Sequence, residues 1–326
     1  MSTEFQPITV EIPQELAGER LDSALARLLP AHSRTRIKGW IEAGDVQVGR
    51  RRCKPSDPVD AGARVTLRVG ATADFPAVHG EAMPLAIIHE DRDFLVVDKP
   101  AGLVVHPGAG NPRHTLQNAL LGFDHTLAAL PRAGIVHRLD KDTSGLLVIA
   151  RTPEAHTALI RQLAARSAAR EYQAVCRGVM TGGGTIDRPI GRHRSDRLRM
   201  TVRADGRPAV THFRVLERFR AHTHVRVKLE TGRTHQIRLH LAHAHFPIVG
   251  DPVYGGRFAR PRGAGDALIA VLHVFRRQAL HAANLAFDHP RSGARLSFHS
   301  PLPADFQELL AALRVDQSSP AETDAR

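Results

Sequence analysis

Two hydrophobic textures divide the chain. From Gly18 to about Gly70, Leu21, Leu25 and Leu28 recur at helical intervals until Pro30, which cannot continue a helix. Ser33 can cap a second helix over 34–43, and Gly44 can stop it. Val46 and Val48 then alternate with polar neighbours, Gly49 marks a turn, and Val65, Leu67 and Val69 alternate again, so helices give way to strands. Residues 1–17 read as an extended lead-in, because Pro7 and Pro13 break helices. Residues 71–84 have no period, carry Pro76, Gly80 and Pro84, and read as a linker.

From Leu85 the texture is one of many short strands. An apolar run over 94–97 ends in Asp98-Lys99-Pro100, a loop rich in glycine and proline covers 101–112, and 115–121 can open a helix. The stretch 134–151, GIVHRLDKDTSGLLVIAR, joins a charged half, 136–145, to an apolar half of strand length, 146–150. A charged loop mounted on a buried strand is held on a rigid support, as a site requires. Thr152 caps a helix with Pro153 at its first position, and Ala155, Leu159, Ile160 and Leu163 form its apolar face. Strands are expected over 172–175, 210–215, 225–229, 280–287 and 294–299, helices over 237–244 and 306–313, and a polar, disordered tail over 316–326. Strands outnumber helices and hairpin spacings outnumber crossovers, which predicts an α+β fold with a mainly antiparallel mixed sheet. The expected plan is a small N-terminal domain over 1–70 with its core over 18–70, the linker, a larger domain over 85–315 and the tail.

Charge changes the picture more than composition does. Lys and Arg number 45 against 33 Asp and Glu, a net +12 that points to a polyanionic partner. Two basic runs lie in the first unit: Arg34, Arg36 and Lys38 along its second helix, and Arg50, Arg51, Arg52 and Lys54 in one loop. Two such runs in one small unit favour phosphate contact. No stretch approaches the roughly 18 apolar residues that span a bilayer. The start has no basic segment followed by an apolar one, so the expected place is the cytoplasm. Cys53 and Cys176, with no CxxC, make neither a disulfide framework nor a thiolate metal site, and both are expected to be ordinary, partly buried thiols.

Several chemistries drop out. There is no GxxxxGKS or GxxxxGKT phosphate loop, no GxGxxG after a strand and no GxSxG elbow. His235, His240, His243 and His245 cluster without a carboxylate or cysteine at ligand spacing, among arginines that repel a divalent cation. That leaves a nuclease using a metal on His240 and His243 poorly supported, and neither metal nor cofactor is expected. What remains is one carboxylate in a basic setting. Asp140 lies between Arg138 and Lys141, whose charges favour its ionised form. Beyond it, ETGRTHQIRLH over 230–240 brings Arg233 and Arg238 just after a strand.

GERLDSALARLLP, SRTRIKGWIEAGDVQVG and DPVDAGARVTLRV together resemble the small RNA-binding domain shared with ribosomal small-subunit protein four, an S-four-like domain. Gly49-Arg50 stands where Asn-Gly is common at its turn. HRLDKDTSGLLVIAR, REYQAV and LETGRTHQIRLHLA, in this order, resemble the three motifs of the large-subunit ribosomal RNA pseudouridine synthases. VVDKPAGLVVHPGAGN before them and HFPIVGDPVYGG after them extend the likeness from Gly18 to about Leu313. PRAGIVHRLDKDTSGL, GGTIDRPIGRH, RPAVTHFRV and RQALHA draw it toward one two-domain subfamily, with the sister subfamily acting on other ribosomal sites as the alternative.

The resemblance implies an isomerase without a cofactor, which cuts the bond from uridine N1 to the ribose, turns the base and rejoins it through C5. It implies that Asp140 is the essential carboxylate, that Tyr172 stacks on the target base, that Arg238 pairs with Asp140, and that Arg138 fills the place of a base flipped from its helix. His137, Thr143 and Arg233 would support them. The implied substrate is large-subunit (23S) ribosomal RNA, at the helix 69 stem-loop, free or in a pre-50S particle, with the first unit holding phosphates. No membrane contact is expected and a monomer is the default. A competing reading of another class is a non-catalytic RNA-binding or ribosome-assembly factor, against which the intact Asp140, Tyr172 and Arg238 argue.

Overall fold

The computed structural model describes residues 7–29, 34–49, 51–68, 78–108, 110–196 and 199–319. The chain divides into two compact units, Met1–His79 and Gly80–Arg326.

In the first unit the order is β1 (Ile8–Glu11), α1 (Leu21–Leu28), α2 (Arg34–Ala43), β2 (Val46–Val48), β3 (Arg51–Arg52) and β4 (Arg64–Leu67). The strands form one antiparallel sheet in the order β1-β4-β2-β3. Leu21 and Leu25 of α1, Ile37, Trp40 and Ile41 of α2, and Val46, Val65 and Leu67 of the sheet close the core. The proline-punctuated lead-in is not a plain extended segment: β1 pairs along β4, and Gln14–Leu16 makes one 3-10 turn that buries Leu16. Ser33 and Val69 lie outside the described residues. Asp22 is buried in α1 and accepts hydrogen bonds from Arg20 at 3.0 Å and Arg34 at 2.9 Å. Burial alone would raise its pKa, but the two guanidiniums outweigh that and hold it below the usual carboxylate range.

The second unit opens with β5 (Ile87–Glu90), β6 (Phe94–Lys99), α3 (Leu116–Phe123), β7 (Ser144–Ala150), α4 (Pro153–Ala164) and β8 (Ala169–Arg177). It continues with β9 (Gly184–Asp187), β10 (Ile190–Arg192), β11 (Met200–Val202), β12 (Val210–Arg218), β13 (His222–Leu229), α5 (Gln236–His243) and α6 (Asp266–Val274). β14 (Leu280–Asp288), β15 (Arg295–His299) and α7 (Ala304–Ser318) end it. Among the described residues, nine strands form one sheet in the order β5-β6-β7-β14-β8-β13-β12-β9, with β15 also on β14. Every pairing in it is antiparallel except β7 with β14, so the fold is α+β with a mixed, mainly antiparallel sheet.

β7 is buried at all seven positions, which is why it reads as a continuous apolar run and not as an alternation. Phe94 and Val96 of β6, Leu146 and Val148 of β7, Leu285 and Phe287 of β14, and Ala155 and Leu159 of α4 pack into one core. α4 starts where Thr152 accepts the Ala155 N–H at 3.1 Å. β10 and β11 form a small hairpin whose Ile190, Met200 and Val202 pack with Leu239 of α5.

Three further expectations need correction. The linker ends earlier than 84: the second unit begins at Gly80, and the Glu81 N–H donates to Asn118 O of α3 at 2.9 Å. The tail over 316–326 starts inside α7. There Asp316 is buried, accepts the Gly265 N–H at 2.8 Å and pairs with Arg220 at 3.3 Å, while residues 320–326 lie outside the described residues. Cys176, in β8, is fully buried where partial burial was expected.

Candidate active site

The charged loop 135–143 runs into β7, and its carboxylate is built into an ion-pair chain. Asp140 Oδ2 accepts from Arg238 Nη1 at 2.9 Å. The rest of that guanidinium is committed elsewhere: Nε and Nη2 donate to the two carboxylate oxygens of Asp251 at 2.7 and 2.9 Å. Asp251, fully buried in the loop after α5, also accepts the N–H groups of Val253 and Tyr254 at 2.8 and 2.9 Å. Burial opposes both charges, yet each holds the other ionised: the Asp251 carboxyl lies below its ordinary range and the Arg238 guanidinium above its own. Arg238 is thus a fixed donor presented to Asp140, and Asp140 keeps its second oxygen toward an open cleft.

That cleft has a volume of about 360 Å³, and Asp140, Tyr172, Arg238, Arg138, His137, Thr143 and Arg233 all line it. Residues from the 135–143 loop, β8 and the 230–238 segment therefore meet in one place. Tyr172 lies in β8 opposite Val227 of β13, is 5% exposed, and its hydroxyl pKa is raised by burial. Arg138 is exposed at the mouth. Thr143 is buried and accepts from Gln278 Nε2 at 3.0 Å. Arg233 donates to Pro208 O at 3.2 Å. His137 accepts the Val148 N–H on Nε2 at 3.1 Å, and burial, aided by Arg170, pushes its pKa down to about 3, so the ring is neutral. Beneath the loop, the buried Lys99 Nζ donates to the carbonyls of Pro100, Leu103 and Lys141 at 2.7, 2.9 and 2.8 Å, tying the chain just after Asp140 to β6.

Sequence reasoning missed His106, Arg132, Arg170 and His235 in the cleft wall, and Asp251 and Tyr254 behind it. Arg170 stands two positions before Tyr172 on one strand, a spacing that puts both side chains on one face and could have revealed it. His240, by contrast, engages Thr211 at 2.8 Å and Arg188 O at 3.0 Å with its two ring nitrogens, which leaves it none for a metal.

The basic residues of the first unit are partly spent. Arg34 pairs with Asp22, Lys38 with Glu42 at 3.4 Å, and Arg51 with Asp57 at 3.5 Å. Arg52 is exposed on β3, and Lys54 offers its backbone N–H to Asp57 at 2.9 Å. Arg50 and the Arg36 side chain lie outside the described residues.

Residues 93–243 match the family described as RNA pseudouridylate synthase, and residues 19–65 match the S4 domain. A protein of Pseudomonas aeruginosa named ribosomal large subunit pseudouridine synthase D is 54% identical over 95% of this chain and 96% of its own length. A protein of the same name from Xanthomonas campestris pv. campestris is 53% identical over 97% of this chain and 95% of its own. The solved structure of human RNA pseudouridylate synthase domain containing 4 superposes with a TM-score of 0.56 at 26% identity, covering 70% of this chain and 93% of that one.

Proposed function

The chain belongs to the RNA pseudouridylate synthase family, isomerases acting on RNA, and from that premise we propose that it converts uridine to pseudouridine in large-subunit ribosomal RNA with Asp140 as its essential carboxylate. One observation carries the assignment of the site: Asp140, held on Oδ2 by Arg238 at 2.9 Å, shares a single cleft with Tyr172 and Arg138.

The chemistry follows from that arrangement. The N1–C1′ bond breaks, positive character develops on the sugar, and an ionised carboxylate fixed beside it lowers that barrier. Asp140 either bonds to the ribose as a nucleophile or stabilises a glycal-forming path. The freed base turns while it stays bound, C5 bonds to C1′, the C5 proton leaves and N1 gains one. Tyr172 supplies the stacking platform during the turn, an interaction worth about 1–3 kcal/mol. Arg138, exposed at the mouth, takes the vacated place of the flipped base. His137, Thr143 and Arg233 hold the walls. The first unit contacts RNA phosphates through Arg34, Arg36, Lys38, Arg50, Arg51 and Arg52. The helix 69 stem-loop is the proposed target, the working form a monomer and the place of action the cytoplasm.

The test is a pseudouridine map. Unmodified large-subunit RNA, free and in subunits, is incubated with the protein or with Asp140→Asn, and carbodiimide-dependent stops of reverse transcription are read. Stops with the unaltered protein alone support the assignment. Equal stops with Asp140→Asn defeat the role given to Asp140, and no stops on either form of RNA defeat the substrate.

A further inference from the structure

His235 occupies a position that the proposed reaction does not yet use. It precedes α5 with φ of 56°, a left-handed backbone that is strained for a residue with a Cβ. The turn is held there by Gln236, whose Oε1 accepts from Thr231 Oγ1 at 2.7 Å and from the Arg233 N–H at 3.0 Å, and whose Nε2 donates to Val210 O at 2.9 Å. Strain of this kind persists where surrounding bonds impose it, and it collects at functional sites.

The strained backbone aims the ring between two partners. Nδ1 lies 3.0 Å from the Tyr254 hydroxyl, and Nε2 lies 4.0 Å from Asp140 Oδ1, the carboxylate oxygen that Arg238 leaves free. The Tyr254 oxygen already accepts the Met200 N–H at 2.9 Å. Among the described residues its hydroxyl hydrogen has one acceptor, His235 Nδ1. A ring that accepts on Nδ1 carries its proton on Nε2, facing Asp140.

We infer that His235 is a positioning residue of this site: as the neutral Nε2–H tautomer set by Tyr254, it orients the free oxygen of Asp140 without neutralising it. This rests on the functional reading above. The groups around the ring agree with a neutral imidazole. Asp140 and Asp251 favour a proton, while Arg238, Arg138 and, first of all, burial oppose it, and the net pKa is lowered. Tyr254 itself is uncharged, and Arg199 stands 5.8 Å from its ring. An imidazolium in the same place would form an ion pair with the reacting oxygen and quench it. The 4.0 Å separation is that of the free enzyme, and such contacts tighten once substrate fills the cleft.

Three variants test this, each read by single-turnover pseudouridine formation on an unmodified large-subunit RNA transcript from pH 5.5 to 9. Asparagine tolerates the left-handed backbone and keeps the contact to Tyr254, but its amide cannot reach Asp140. His235→Asn should lower the rate on the order of a hundredfold with RNA binding retained, the scale of a misplaced reacting group. His235→Gln places a donor near Nε2 and should recover a large part of that loss. Tyr254→Phe removes the bond that favours neutral His235, so the imidazole pKa rises and the rate should fall selectively at low pH. The ratio of rates at high and low pH should widen roughly three- to tenfold, the weight of one hydrogen bond.

A rate for His235→Asn equal to that of the unaltered protein overturns the inference. So does a Tyr254→Phe loss that is equal at every pH, which a merely structural role would give. Should His235→Asn fail to fold, the Tyr254→Phe profile decides alone. If the unaltered protein makes no pseudouridine on the transcript, the series is read on unmodified subunits, and no product on either form means that the functional reading fails instead, which keeps the two failures apart.

Discussion

Replacing Asp251 by Asn should both destabilise the second unit and loosen the site. The carboxylate accepts four hydrogen bonds, two from Arg238 and two from backbone N–H groups, with no exposed surface. An asparagine has one acceptor oxygen, and its amide must point a donor at either the guanidinium or the backbone N–H pair. Arg238 would then be buried with Asp140 as its one counterion. Removing one partner of a buried ion pair costs about 3–5 kcal/mol, and the oxygen that asparagine keeps puts the expected loss at about 3 kcal/mol. For a unit of this size that lowers the melting temperature by roughly 6–12 °C. Arg238, freed from its two-point clamp, would turn further onto Asp140, so pseudouridine formation should fall on the order of a hundredfold even in the folded fraction. The pH dependence has a definite sign. Asp251 is held below its ordinary carboxylate range, so its contribution is present above the unfolded-state pKa and is lost as pH falls through the folded-state pKa. Thermal melts between pH 3 and 7 should therefore show the variant losing less stability on acidification than the unaltered protein. A variant melting within a degree or two of the original, or one with undiminished turnover, would refute the idea that Asp251 holds Arg238 in place.

Other consequences are simpler to state. A Cβ on Gly145 would lie 2.3 Å from Ala282 O at the parallel β7–β14 pairing, so Gly145→Ala should cost about 3 kcal/mol or more in thermal unfolding. Gly102→Ala, also at positive φ but with open space around it, should cost about 1–2 kcal/mol, and equal losses at the two sites would show that packing is not what decides. His137 should keep its neutral ring from pH 5 to 8, because its pKa is pushed down to about 3, and a proton-linked change in its NMR shifts across that range would contradict its buried bond to Val148. Lys99→Met removes the donor to the Pro100 and Leu103 carbonyls and leaves Lys141 O with the Gly102 N–H alone, so it should lower both the melting temperature and the turnover rate, and an unchanged rate would show the loop needs no such tether. A chelator should leave turnover intact: in the Asp91, Asp93 and His289 cluster, both Asp93 oxygens are already held by Arg291.

What could be read in the sequence was whatever chemistry is local. Asp140 is framed by its own neighbours, β7 is a single apolar run, and α4 announces itself with Thr152-Pro153. Tyr172 and Arg238 come from motifs whose order survives in one dimension. Asp251 and Tyr254 stand in the stretch HFPIVGDPVYGG, but their roles were hidden for a physical reason: each acts through a side chain met only after folding, Asp251 on a guanidinium 13 positions away and Tyr254 on a ring 19 positions away. Short elements also escaped. α6 reads DALIAVLHV, apolar nearly throughout, so no period marks it as a helix. β9, β10 and β11 have three or four residues each, too few for an alternation to stand out.

The parallel pairing of β7 with β14 also sets an order of events during synthesis. β7 carries the Asp140 loop, and its neighbour β6 leaves the ribosome well before it. Its other neighbour, β14, begins at Leu280, and the Ser144 hydroxyl meets His281 Nδ1 across 137 positions of chain at 3.0 Å. Until that late strand emerges, the Ser144-Gly145 end of β7, where it joins the Asp140 loop, lacks its parallel partner, whereas Ile149 already meets Ile135 and the Val148 N–H already meets His137; an unpaired strand end of this kind can recruit other strands. The nascent chain therefore carries this end unpaired over the roughly 130 residues between the two strands, and the Asp140 loop gains that support only after β14 has been made.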